Sequence, residues 1–251
     1  MAQVIFNDVQ TKLLSLCTDL GLEGFADGLS GQFENYQCFC DSSTEDRLLL
    51  LLQNEKQVRK EKKITALTKA AKLRDTLTYD ELSLREADGL PKSTLQMLIS
   101  NIWMHNAANI VVSGQCGVGK TALVSAVAYG VIAKGLKVLY LKASEFNDDV
   151  NEHKIKPKNL INRLSTCDVL IFDDFGYRPL SPEAIGILYE IIDKRHKRKS
   201  TIVSTQLKSA AAIIRFLGSD ATAEGLVDRL CSATTINITL KGASRRQQPQ
   251  E

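Results

Sequence analysis

Between residues 109 and 240 the chain alternates two kinds of apolar pattern. Short, nearly continuous apolar runs of strand length fall at 109–113, 136–142, 168–174, 201–204 and 234–240. Between them, at 122–129, at 182–199 and in shorter pieces up to about 231, apolar residues recur every three or four positions, the spacing of one helix face. Near-continuous apolar strands, with 136–142 alternating after Gly135, separated by helices, predict an α/β fold with a parallel sheet covered on both faces. Residues 143–167 read as helical or irregular.

The first 75 residues carry only the helical period. Helices are expected at 8–20 and 22–33, and a long one at 45–73 after a polar turn in which Ser43 or Thr44 caps and Glu45 and Asp46 favour the first turn. The run from Arg47 through five leucines to Leu52 is expected to bury much of its circumference. Residues 76–91 read as a linker with turn chemistry at Asp88, Gly89, Leu90 and Pro91, and a helix at 92–105 leads into the first strand, with Trp103 read as core. Three segments follow: a helical N-terminal domain at 1–75, a linker at 76–91 and an α/β domain at 92–251.

Composition narrows the class. The 251 residues are 44% hydrophobic and 24% charged, which suits one core domain with a small appendage. No apolar run has the length of a membrane span, and the N-terminus meets an acid at Asp8 without a basic leader, so neither a membrane partner nor a signal peptide is expected. Six scattered cysteines, with Cys38 and Cys40 too close for a zinc pair, point to free thiols and a cytoplasmic protein. The net charge of +3 is mild, but residues 55–74 hold eight Lys or Arg against two acids. Such a helix, carrying Arg59, Lys60, Lys62, Lys63, Lys69 and Lys72, is read as a contact for a phosphate backbone.

Candidate chemistry sits between the first strand and its helix. Gly114, Gln115, Cys116, Gly117, Val118, Gly119, Lys120 and Thr121 fit the phosphate-loop pattern without a mismatch, and Ala122 continues into the helix. Glycines let successive N–H groups turn toward phosphate oxygens at a helix N-terminus. Lys120 would reach the β- and γ-phosphates of ATP, and Thr121 would ligate Mg²⁺. The apolar run at 168–172 ends in Asp173 and Asp174. The first acid would hold Mg²⁺ through water, and the second would orient or deprotonate the attacking water. Ser204, Thr205 and Gln206 end the next strand, and three arginines, Arg229, Arg245 and Arg246, lie farther on.

The order of these motifs resembles the IstB-like ATPases, AAA+ helpers encoded beside a DDE-type transposase. The similarity runs over nearly the whole chain. Its more specific parts are the string from Asp173 through Phe175, Gly176, Tyr177, Pro179 and Leu180 to Ser181, and the ending Gly242, Ser244, Arg246. The resemblance implies a P-loop AAA+ core preceded by a small helical domain, without a C-terminal lid. It implies Thr205 or Gln206 as sensor 1, Arg229 as an arginine finger acting on a neighbouring copy, and Arg246 as sensor 2. It further implies ATP-dependent assembly of a homo-oligomer on double-stranded DNA, recruitment of the transposase, hydrolysis as a switch, and DNA contacts around Lys154, Lys156 and Lys158. A DnaC-like helicase loader shares the same core and is the alternative.

Overall fold

A computed structural model describes residues 6–73, 76–82 and 86–244. The chain divides into two compact units, with the break between residues 66 and 67.

In the first unit, helix α1 (Asp8–Asp19) starts with a capping box: Asn7 accepts from the Gln10 N–H while the Gln10 side chain takes the Asn7 N–H. Helices α2 (Glu23–Glu34) and α3 (Tyr36–Phe39) follow, then the long α4 (Thr44–Ala71). Ser43 caps α4 by accepting from the Asp46 N–H. Helix α4 closes on α2 where Gly24 and Gly28 leave room, since a Cβ on Gly24 would stand 2.8 Å from Val58 Cγ2. Asn54 donates to the Gly24 carbonyl, and Glu55 accepts the Phe25 N–H, so two polar groups pin the contact. The core is small: Cys17, Leu29 and Leu51, ringed by Leu14, Leu22, Phe25 and Phe33.

That size overturns the expected burial of the leucine run. Only Leu51 is buried, whereas Leu48, Leu49, Leu50 and Leu52 remain 47–59% exposed. Successive residues on a helix point about 100° apart, and the short helices of this unit cover one side of α4 only.

In the second unit, the helix expected at 92–105 is two: α5 (Lys92–Ser100) and α6 (Ile102–His105). They break at Asn101, which takes a left-handed conformation (φ 58°) that asparagine tolerates better than most residues. Trp103 is 2% exposed and donates its indole N–H to the Leu98 carbonyl. Strand β1 (Ile110–Gly114) leads through the glycine loop into α7 (Lys120–Ala133). Then come β2 (Val138–Lys142), α8 (Ala143–Asn151), α9 (Pro157–Thr166), β3 (Val169–Phe175), α10 (Pro182–Arg195), β4 (Ser200–Thr205), α11 (Ala210–Leu217), α12 (Ala221–Leu230) and β5 (Ile236–Leu240). Helix α10 stops at Arg195 rather than 199.

The five strands are parallel in the order β2-β3-β4-β1-β5. Strand β4 therefore lies between the strand that feeds the glycine loop and the strand that ends in the acids. Residues 79 and 88 in the expected linker are held by contacts: Tyr79 packs on Gly130 and donates to the Leu98 carbonyl, and the Asp88 carbonyl accepts the Lys241 N–H beyond β5.

Arg195 organises the far end of the sheet. It is 1% exposed, and its guanidinium donates to Thr201 Oγ1 and to the carbonyls of Leu164, Cys167 and Ser200. Nearby, burial works to raise the Asp168 pKa, but the Lys199 ammonium and the Lys137 N–H outweigh it and hold the carboxyl below its usual range. These contacts tie the starts of β3 and β4 to the ends of α9 and α10.

Candidate nucleotide site

Ligands of open parallel sheets bind off the carboxyl ends of the strands, where a change in strand order opens a crevice. Here the ends of β1, β3 and β4 meet. Gly117 and Gly119 both take positive φ (83° and 98°), which turns the backbone so that α7 begins at Lys120. Gly117 is required twice over. A Cβ there would stand 2.1 Å from Ser244 Oγ, because the segment after β5 lies against the loop. The Lys120 ammonium donates to the carbonyls of Gly114 (2.9 Å) and Gln115 (2.8 Å), spanning the loop it serves.

The acids are presented by a bulge. Phe172 pairs with Val203, but Phe175 pairs with Thr205, so β3 carries one extra residue where Asp173 and Asp174 sit. Asp174 is left-handed (φ 55°), a conformation that costs free energy for a non-glycine residue and recurs at functional sites. Regular alternation would send two successive side chains to opposite faces. With the bulge, Asp173 reaches Thr121 while Asp174 borders the cavity beside the loop.

Asp173 is completely buried and accepts four hydrogen bonds. Its Oδ1 takes Ser204 Oγ and the Asp174 N–H, and its Oδ2 takes Thr121 Oγ1 (3.0 Å) and the Tyr140 hydroxyl (2.5 Å). Tyr140, on β2, was not legible as a site residue from the sequence. A hydroxyl in the middle of a mainly aliphatic strand is the signal it leaves.

The cavity next to this cluster, about 260 Å³, is lined by Cys116, Gly117, Gly119, Lys120, Thr121, Ala122, Asp174 and Gln206. Val118 is buried beneath the loop. A second cavity of about 330 Å³, on the β5 side, takes in Gly114, Gln115, Lys208 and Lys241. Hydroxyl and carboxylate oxygens are hard donors, the type Mg²⁺ takes, so Thr121 and Asp173 fit that ion, and the glycine loop with Lys120 fits phosphate.

The remaining expected residues are placed as follows. Thr205 is buried; its hydroxyl donates to the Phe175 carbonyl (2.7 Å) and accepts the Leu207 N–H (3.0 Å). Gln206 is exposed at the cavity. Arg229 is remote from both. Its carbonyl accepts from the Asn109 side chain, which precedes β1, so about 17 Å of strand at ~3.3 Å per residue separates it from the loop. Its guanidinium bonds Asp193 (2.7 Å) and the Gly225 carbonyl, and stands 4.9 Å from the centre of the Tyr189 ring. Arg245 and Arg246 lie outside the described residues.

Of the basic residues, Arg59 is paired with Glu55, Lys62 with Glu23, and Lys154 with Asp149 and Glu152. Lys60, Lys63, Lys69, Lys72, Lys156 and Lys158 are exposed, and among the described residues none has a carboxylate within ion-pair distance. Among the described residues no helix is long and apolar enough to cross a membrane.

Comparison with known proteins agrees with this geometry. The family model described as IstB-like ATP binding protein matches residues 15–251. The insertion sequence ATP-binding protein y4pL of Sinorhizobium fredii is 30% identical over 230 residues, 91% of this chain and 93% of that protein. The insertion sequence IS21 ATP-binding protein of Pseudomonas aeruginosa is 28% identical over 204 residues, 79% of this chain and 75% of its own. Among solved structures, the helicase loader DnaC superposes with a TM-score of 0.54 at 21% identity, covering 65% of this chain and 96% of DnaC. DnaI superposes with a TM-score of 0.58 at 17% identity, covering 69% of this chain and 92% of DnaI. These likenesses establish the AAA+ type of P-loop fold.

Proposed function

The chain belongs to the family of IstB-like ATP binding proteins, and from that premise we propose that it is the ATPase helper of a DDE-type transposase. It binds ATP with Mg²⁺, assembles with further copies of itself on duplex DNA, and passes that DNA to the transposase, with hydrolysis as the switch that ends the assembly. The observation that carries the reading is the meeting of Lys120, Thr121, Asp174 and Gln206 around one cavity at the strand ends, with Asp173 buried behind Thr121.

Each of the chain's own groups has a defined task there. Lys120 exchanges two loop carbonyls for phosphate oxygens, so the loop is shaped before the nucleotide arrives. Thr121 gives its hydrogen to Asp173 and keeps its oxygen lone pairs for the cation. The ion supplies charge neutralisation at the β- and γ-phosphates when bound. Asp174, held by the bulge at the cavity wall, orients the attacking water and takes its proton. Gln206 contacts the γ-phosphate or that water. Arg229 lies too far away to serve its own nucleotide and completes the site of a neighbouring copy. The y4pL and IS21 relatives are named for insertion sequences, which supports the transposase as client. Likeness to a helicase loader at 21% identity concerns the fold and brings no client with it.

Replacement of Lys120 tests the site. Lys120→Ala should weaken ATP binding on the order of 100-fold, the scale of one or two charge-assisted hydrogen bonds, and abolish DNA-stimulated phosphate release. Wild-type ATP affinity in a variant whose circular dichroism is unchanged would remove the phosphate loop from the mechanism.

A further inference from the structure

We propose that Tyr140 is a positioning residue for the metal: its hydroxyl locks the Asp173 carboxylate in the one orientation that serves Thr121 and the ion. The inference rests on the proposed ATP site and names a member of it that lies in none of its motifs.

The argument starts from the carboxylate's capacity. Two ionised oxygens offer about four lone-pair directions, and at Asp173 all four are used: Ser204 and the Asp174 N–H on Oδ1, Thr121 and Tyr140 on Oδ2. The donors come from different elements on different sides. Ser204 stands on β4, Tyr140 on β2, Thr121 on α7, and β3 itself lies between β2 and β4. A carboxylate gripped from both neighbouring strands cannot rotate about its terminal torsion, which is otherwise broad. Two of the four donors, Thr121 and Asp174, belong to residues that border the cavity, and of these only Thr121 donates from its side chain. Ser204 and Tyr140 hold the acid from the two neighbouring strands so that one of its bonds falls on the Thr121 hydroxyl.

Tyr140 matters most among them because it shares Oδ2 with Thr121. Without it, Oδ2 would keep a single partner at 3.0 Å and the carboxylate could swing. Tyr140 is 5% exposed, so water does not readily replace its hydroxyl. A buried tyrosine whose hydroxyl merely needs an acceptor would be satisfied by any carbonyl. This one instead ends on the acid that the metal requires. Groups that orient a metal's supporting ligand are worth about 10- to 100-fold in metal affinity.

Tyr140→Phe preserves volume and removes one oxygen. The experiment titrates Mn²⁺, as a stand-in for Mg²⁺, into the full-length protein with ADP and follows the free-ion electron paramagnetic resonance signal. ADP affinity in excess chelator is measured alongside. The variant should bind Mn²⁺ roughly 10-fold more weakly, with metal-free ADP affinity unchanged and Ser204→Ala shifting Mn²⁺ in the same direction. An unchanged Mn²⁺ constant overturns the proposal. So does an equal loss of metal-free ADP affinity, or a Tyr140→Phe chain that does not fold, since either makes the hydroxyl structural. If wild-type protein binds neither ADP nor Mn²⁺ with ADP, the nucleotide site itself fails, an outcome distinct from all of these.

Discussion

Thr205 and Gln206 are adjacent, and their sequence gives each an equal claim to sense the γ-phosphate. The structure places them differently, because β4 ends between them. Thr205 turns inward and ties the chain after the acids, Phe175, to the chain leaving β4, Leu207. Gln206 emerges at the cavity. Gln206→Ala should therefore cut phosphate release at least 10-fold with no change in melting temperature. Thr205→Val, which leaves a buried carbonyl and N–H without their partner, should cost about 1–3 kcal/mol of stability. Thermal melts and steady-state phosphate release on the two variants decide it, and the reverse pattern would exchange their roles. The phosphate loop was readable from residue types because glycine spacing and a lysine are direct requirements of phosphate binding. Tyr140 and the bulge at Asp174 were not, since a hydrogen bond across strands and a register shift depend on which strand lies next to which.

Among the elements, the strands were legible to within two residues, because long aliphatic runs have one use in an α/β chain. Helix breaks were less so: Asn101 interrupts a continuous apolar period through a left-handed backbone that periodicity does not report. The leucine run on α4 misled for a related reason. Apolar character predicts burial only where enough chain exists to cover it, and α1 to α3 cover one side. The polar half of α4 carries its own consequence. Arg59 and Lys62 are engaged by Glu55 and Glu23, which leaves Lys60 and Lys63, with Lys69 farther along, among the exposed cations proposed to meet phosphate. Neutralising Lys60 and Lys63 to glutamine should lower the slope of log affinity for duplex DNA against log salt by about 0.9 per lost contact, or nearly 2. Fluorescence anisotropy at several salt concentrations reads the slope directly. An unchanged slope would place the DNA path on other residues, with Lys156 and Lys158 as the next to replace.

Over the whole molecule, the groups proposed for catalysis do not all come together. Lysine, acids and glutamine gather at the carboxyl ends of the strands, while Arg229 is held by Asp193 and Tyr189 at the opposite end of β1. A site that needs an arginine to neutralise charge in phosphoryl transfer can obtain this one only from another copy. In the proposed assembly the nucleotide would lie where two copies meet, and its γ-phosphate would report whether they are joined. On that proposal, ATP holds copies together on DNA. Mass photometry of the wild-type protein with a duplex, under a non-hydrolysable ATP analogue, ADP or no nucleotide, tests that claim most directly. Large assemblies should form only with the ATP analogue and DNA together, and particles of one size under all three conditions would contradict it.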